Sequence, residues 1–131
     1  MNTIKLLPFL LVTFAVVVFA QSSPTVQLFQ KSTSGMISDT VLSVTVDSQG
    51  MYYVALQTSG STSTVGIFNG SEWKYPEALS NLKFLVYSLT SSSDGSLWLA
   101  TSKGVMQYKE STLTEFTKTK TPIFKTDSFE T

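Results

Sequence analysis

The sequence predicts an all-β protein assembled from repeated four-stranded antiparallel units, and three observations predict it. Apolar and polar residues alternate in short runs, as from Val41 to Asp47, where Leu42, Val44 and Val46 fall on one face and Ser43, Thr45 and Asp47 on the other. Clusters of Ser, Thr, Gly, Asn and Asp separate these runs at spacings that suit tight turns. The same order of strand and turn signals then recurs 45 residues further on. No segment reads as a helix.

The chain has 131 residues, and its first 20 read as a targeting segment. Met1 to Lys5 carries one positive charge, Leu6 to Ala20 is an unbroken run of apolar or small residues, and Gln21-Ser22-Ser23-Pro24 follows a small residue at a cleavage position. A membrane span needs about 20 apolar residues, and this run is shorter and carries Pro8. A cleaved signal peptide over residues 1–20 is therefore favoured over an uncleaved anchor, and the mature chain, 21–131, is exported to the periplasm or beyond.

In the mature part, Val41 to Asp47 is a half-buried strand and Ser48-Gln49-Gly50 a turn. Met51 to Leu56 reads as a second strand, buried on both faces. Residues 57–64 read as a polar loop, Val65 to Phe68 as a third strand, and Asn69-Gly70 as a two-residue hairpin turn. Glu72 to Tyr75 makes the fourth strand, with Trp73 and Tyr75 on one face, and Pro76 ends it.

At an offset of 45, Ser43 matches Ser88, Thr45 matches Thr90, Gly50 matches Gly95 and Ala55 matches Ala100, while Tyr53 falls on Trp98. Gly66-Ile67-Phe68 aligns with Gly104-Val105-Met106 once a seven-residue insertion in the first unit is allowed, and Leu113 to Thr117 supplies the last strand. Two units follow, over about residues 36–78 and 82–118. Four strands per period of 40 to 50 residues is the signature of a β-propeller blade. Val26 to Phe29 reads as the last strand of a preceding blade, and Thr121 to Thr131 as the opening of a following one.

Asp94-Gly95-Ser96-Leu97-Trp98-Leu99-Ala100-Thr101-Ser102-Lys103-Gly104-Val105 resembles the two-component regulator propeller repeat, with its pattern Asp-x-x-Gly-x-Leu-Trp-x-Gly-Thr-x-x-Gly-Leu. Gly35 through Gly50 is similar to the same repeat, with Tyr53 at the Trp position and Leu56 at the Thr position. The resemblance implies the extracytoplasmic propeller of bacterial hybrid histidine kinases, a sensor that often responds to carbohydrates. Propellers close with four or more blades, so two blades form an incomplete ring that needs further blades or further copies.

Composition excludes much chemistry. Histidine, arginine and cysteine are absent, which removes the usual general base, the bidentate phosphate fork and any disulfide. Nine lysines balance nine acids without clustering, so no basic stripe offers itself to nucleic acid.

Trp73, Trp98, Tyr52, Tyr53, Tyr75, Tyr87 and Tyr108 are candidate aromatic platforms for a sugar or another flat ligand, and Trp73 is the one singled out. Trp98 occupies the position where a large ring packs one blade on the next. Asp47 and Asp94 bring one carboxylate each to their turns, where calcium wants six or more oxygens, so they read as turn formers. Asn69-Gly70-Ser71 fits both a glycosylation acceptor and a hairpin turn. Glu72 with Glu77, or Glu110 with Glu115, would be the acid pair of a glycosidase, but they fall on turns and strand ends.

The function expected is thus a non-catalytic binding or sensing module without metal or cofactor, taking a carbohydrate or another small ligand. The rival readings are a structural or adhesive unit that associates with another chain, and a propeller-type hydrolase or lyase.

Overall fold

The computed structural model describes residues 25–117. The signal segment expected over residues 1–20, and the strand expected within Thr121 to Thr131, lie outside the described residues. Two four-stranded antiparallel sheets follow one another along the chain, each with its strands in sequence order. The first holds β1 (Val41–Val46), β2 (Tyr52–Ser59), β3 (Thr62–Phe68) and β4 (Trp73–Lys74), and the second β5 (Val86–Ser91), β6 (Leu97–Thr101), β7 (Gly104–Lys109) and β8 (Thr112–Phe116). The fold is all-β, two blades arranged as in a partial propeller. No helix among the described residues is long and apolar enough to cross a membrane.

Turn chemistry fixes the meanders. The Asp47 carboxylate accepts the backbone N–H groups of Gln49 and Met51, each at 2.9 Å, and Gly50 adopts φ 79°, a left-handed conformation open to glycine. Asp94 and Gly95 repeat the device, with Ser96 donating its N–H to Asp94 at 3.1 Å. Asn69 Oδ1 accepts from the backbone of Ser71 and Glu72.

The repeat holds pair for pair in the first two strands of each sheet. Ser43 pairs with Ala55 as Ser88 pairs with Ala100, and Thr45 with Tyr53 as Thr90 with Trp98. Even the β-bulge recurs, between Val41 and Ser43 and between Val86 and Ser88. In the third strand the alignment read from sequence is two positions out. Ala55 pairs with Val65 and Ala100 with Val105, so Val65, not Ile67, is the counterpart of Val105. Likewise Val54 pairs with Gly66 and Leu99 with Met106, which makes Gly66 the counterpart of Met106.

The reason lies in residues 57–64, which are strand apart from the two-residue turn at Gly60 and Ser61. β2 runs to Ser59, the chain turns on Gly60 and Ser61, and β3 begins at Thr62. Threonine suits a pleated strand, and Ser63 makes two backbone hydrogen bonds to Leu82, at 2.8 and 3.0 Å, that anchor the hairpin to the connector between the sheets.

Four further expectations are corrected. Residues 26–29 form no strand; Phe29 instead packs its ring edge on Phe68. Helical turns occur at α1 (Lys31–Ser34), closed by Gly35 in the left-handed region, and as a 3₁₀ turn at Glu77–Leu79. A single turn is too short to show periodicity. In β1 the apolar alternation does not mark a buried face. The bulge sends Leu42 to the core between the sheets, leaving Val44 60% and Val46 48% exposed. Likewise Tyr52 is exposed, and only Val54, Ala55 and Leu56 of the second strand are buried.

The main core lies between the sheets. Ala55 and Val65 of the first meet Val86, Leu89, Leu97, Leu99 and Met106 of the second, with Leu79, Leu82 and Phe84 of the connector closing one end. Each fully buried Leu, Val or Met contributes about 1.5–3 kcal/mol by leaving water.

Candidate functional site

Residues paired across antiparallel strands share a face, so the first sheet divides cleanly. Tyr53, Ala55 and Val65 face the second sheet. Val44, Tyr52, Val54 and Phe68 face the other way. On that side the sheet has no second layer of strands among the described residues, and a cleft of about 500 Å³ lies over it. Its floor is Val41, Val44 and Val54, and its wall is Tyr52, Phe68 and Trp73, with Phe29 and Met36 of the leading segment along one side.

The wall is an aromatic file. Phe29 meets Phe68 edge-on at 5.1 Å between centroids, Phe68 meets Trp73 at 4.9 Å, and Trp73 stacks on Tyr75 at 6.2 Å with 7° between the planes. Tyr75 donates its hydroxyl to the Gly35 carbonyl at 3.1 Å, which ties the file to the end of α1. Burial pushes the Tyr75 phenol above its usual range. Gly66 lets the file lie flat, since a Cβ there would come 2.7 Å from Tyr75 Cε1 and 3.1 Å from Trp73 Cε3. The Trp73 indole N–H is buried and finds no acceptor among the described residues.

Trp73, singled out from sequence, therefore lines the cleft as a half-buried ring packed on both sides. The other aromatic candidates are dispersed. Tyr52 and Tyr75 share this face, while Tyr53 and Tyr108 pack against the core between the sheets. Trp98 lies on the far face of the second sheet, half-buried against Phe116 at 5.6 Å, and makes no part of the contact between the two sheets.

The carboxylates are committed or scattered. Asp47 Oδ2 accepts the Tyr53 hydroxyl at 3.2 Å, and burial, then the Asp47 charge, pushes the Tyr53 phenol up. Asp94 receives Lys109 Nζ at 2.9 Å and the Ser96 hydroxyl at 2.9 Å, which hold its carboxyl well below the usual carboxylate range. Glu72, Glu77, Glu110 and Glu115 are exposed. Among the described residues no three acids gather as a metal site would need.

Val41, Val44, Phe68, Phe29 and Met36 were not legible as site residues. The signal that finds them is the repeat itself. Val41 and Val44 are 49% and 60% exposed, whereas their counterparts Val86 and Leu89 are 0% and 5% exposed. Tyr52 is 46% exposed and its counterpart Leu97 is 2%. The open face of the first sheet thus corresponds, residue by residue, to the face that the second sheet buries.

No protein-family model matches the chain, and no curated protein matches it. Its fold is similar to a solved structure, the extracellular domain of a hybrid two component system from B. thetaiotaomicron, at 19% identity and a TM-score of 0.58. The likeness covers 75% of this chain and 14% of that chain, so this chain spans a small part of that neighbour's length.

Proposed function

We propose that this chain is an exported, non-catalytic recognition module, two blades of a sensing propeller whose ligand meets the loops at one rim. The observation that carries the reading is the open face of the first sheet, the face that a neighbouring blade would cover in a propeller. The likeness of fold to an extracellular domain of a two component system supports a sensing role outside the cytoplasm.

The rim formed by the β1–β2, β3–β4 and β5–β6 turns presents Ser48, Gln49, Ser71, Glu72, Ser93 and Asp94, all exposed. Such a fringe of hydroxyl, amide and carboxylate groups suits a hydroxyl-rich ligand such as an oligosaccharide. The chain has no histidine to activate a rim hydroxyl, which favours the non-catalytic reading. The test is calorimetric titration of the purified full-length chain with a panel of soluble oligosaccharides. Binding that weakens in Gln49→Ala and Ser93→Ala supports the reading. Turnover of a glycoside, lost in Glu72→Gln or Glu110→Gln, would replace it with an enzyme.

A further inference from the structure

The intramolecular interface offers a pattern for covering the open face. The first sheet docks on the second through Leu42, Ser43, Thr45, Tyr53, Ala55 and Val65 of β1, β2 and β3. At the repeat positions the second sheet carries Tyr87, Ser88, Thr90, Trp98, Ala100 and Val105. Four of the six are the same residue, Tyr53 becomes the larger Trp98, and Leu42 becomes Tyr87. Ala55 and Val65 are fully buried by that docking, whereas Ala100 and Val105 are only half-buried and Ser88 and Thr90 are exposed.

Each chain therefore carries both halves of one interface, a docking face on its second sheet and a receiving face on its first. We infer that the occupant of the open face is a second copy of this chain, joined head to tail through the far face of its second sheet. The inference rests on the reading of the chain as a propeller segment and adds its partner. Because docking and receiving faces differ, the contact is heterologous, and repetition closes a ring where the rotation allows it.

The geometry also specifies a hydrogen bond. The Leu89 N–H donates to Ser43 Oγ between the two sheets at 3.0 Å. Its repeat is the Val44 N–H donating to Ser88 Oγ of the neighbouring copy. Val41, Val44, Tyr52 and Phe68 then become buried beneath Ala100, Val105 and Trp98, as Val86, Leu89 and Leu97 lie beneath Ala55 and Val65.

The experiment is molar mass by light scattering on the full-length chain purified from an exporting host, with no ligand present, so that failure to bind a sugar and failure to assemble are read separately. The wild type is expected at two or more times the chain mass. Val44→Lys and Thr90→Lys each replace an exposed side chain, so both should keep the wild-type circular dichroism while falling to monomer. Mixed in equal amounts, they should form a dimer and nothing larger, because each contributes the face the other lacks. A wild type that is monomeric at every concentration overturns the inference. So does a Thr90→Lys variant of unchanged mass beside a monomeric Val44→Lys, which would mean that open faces pair with each other, and so does a mixture that stays monomeric.

Discussion

The hydroxyl of Ser43 accepts the backbone N–H of Leu89 at 3.0 Å, joining the first strand of one sheet to the first strand of the next across 46 residues of chain. Leu89 is only 5% exposed, so water cannot freely replace the acceptor. Ser43→Ala should cost about 1–3 kcal/mol, the usual penalty for a buried donor left unpaired, while Ser43→Thr should retain most of it. Denaturant titration of the three proteins measures this, and an alanine variant as stable as wild type would show that the bond contributes nothing net.

Gly66 is the second point of fine tolerance. A methyl group there would meet Tyr75 Cε1 at 2.7 Å and Trp73 Cε3 at 3.1 Å, so both rings must move. Gly66→Ala should destabilise by about 1–3 kcal/mol, as overpacking does, and shift the Trp73 emission to longer wavelength. Unchanged emission would mean that the aromatic file is not packed as described.

Tyr53 should make stability fall at alkaline pH. Its phenol is pushed up by burial first and by Asp47 second. A folded pKa above the unfolded one gives a contribution present below the ordinary phenol value of about 10 and lost as pH rises through the folded value. Tyr53→Phe should therefore lose less stability than wild type over that window. Asp47→Asn should bring the phenolate absorbance of Tyr53 to lower pH without restoring the ordinary value, because burial remains. Superimposable alkaline profiles for wild type and Tyr53→Phe would refute the assignment.

Asp94 has the opposite sign. Lys109 first, then the Ser96 N–H and hydroxyl, lower its pKa. Its contribution is present above the ordinary carboxylate value of about 4 and is lost as pH falls through the depressed one. The pair is exposed, with side chains 42% and 50% accessible, so the effect on stability is small and screened by salt. Carboxyl chemical shifts should show Asp94 still ionised below the ordinary carboxylate range, and Lys109→Ala should move its titration upward.

The strands were legible because the alternation of β-branched and polar residues is strong and the Asp-Gly and Asn-Gly turns are chemically explicit. What escaped the sequence was geometry carried by one or two residues. The bulge at Leu42 reverses the meaning of the alternation in β1, so Val44 and Val46 look like core and lie exposed. Residues 57–64 look like loop because their side chains are polar, yet Ser63 holds the hairpin as strand through its backbone bonds to Leu82. Trp73 was legible as a notable ring, but the face it borders was not. Val44 reads as an ordinary core valine until the buried state of Leu89 is set beside it, and Val41 gains its meaning only beside the buried Val86.

The long β2–β3 hairpin gives the two kinds of junction in such a ring unequal strength. Within a chain the sheets are clasped by the Ser63–Leu82 bonds and by the peptide that connects them. The second sheet has no such extension, for Thr101 and Gly104 already pair across a turn of two residues. Fracture is thereby confined to seams between chains. Dilution or mild heating would release whole two-bladed chains and leave each one intact, and the rotational order of the object counts polypeptides rather than blades.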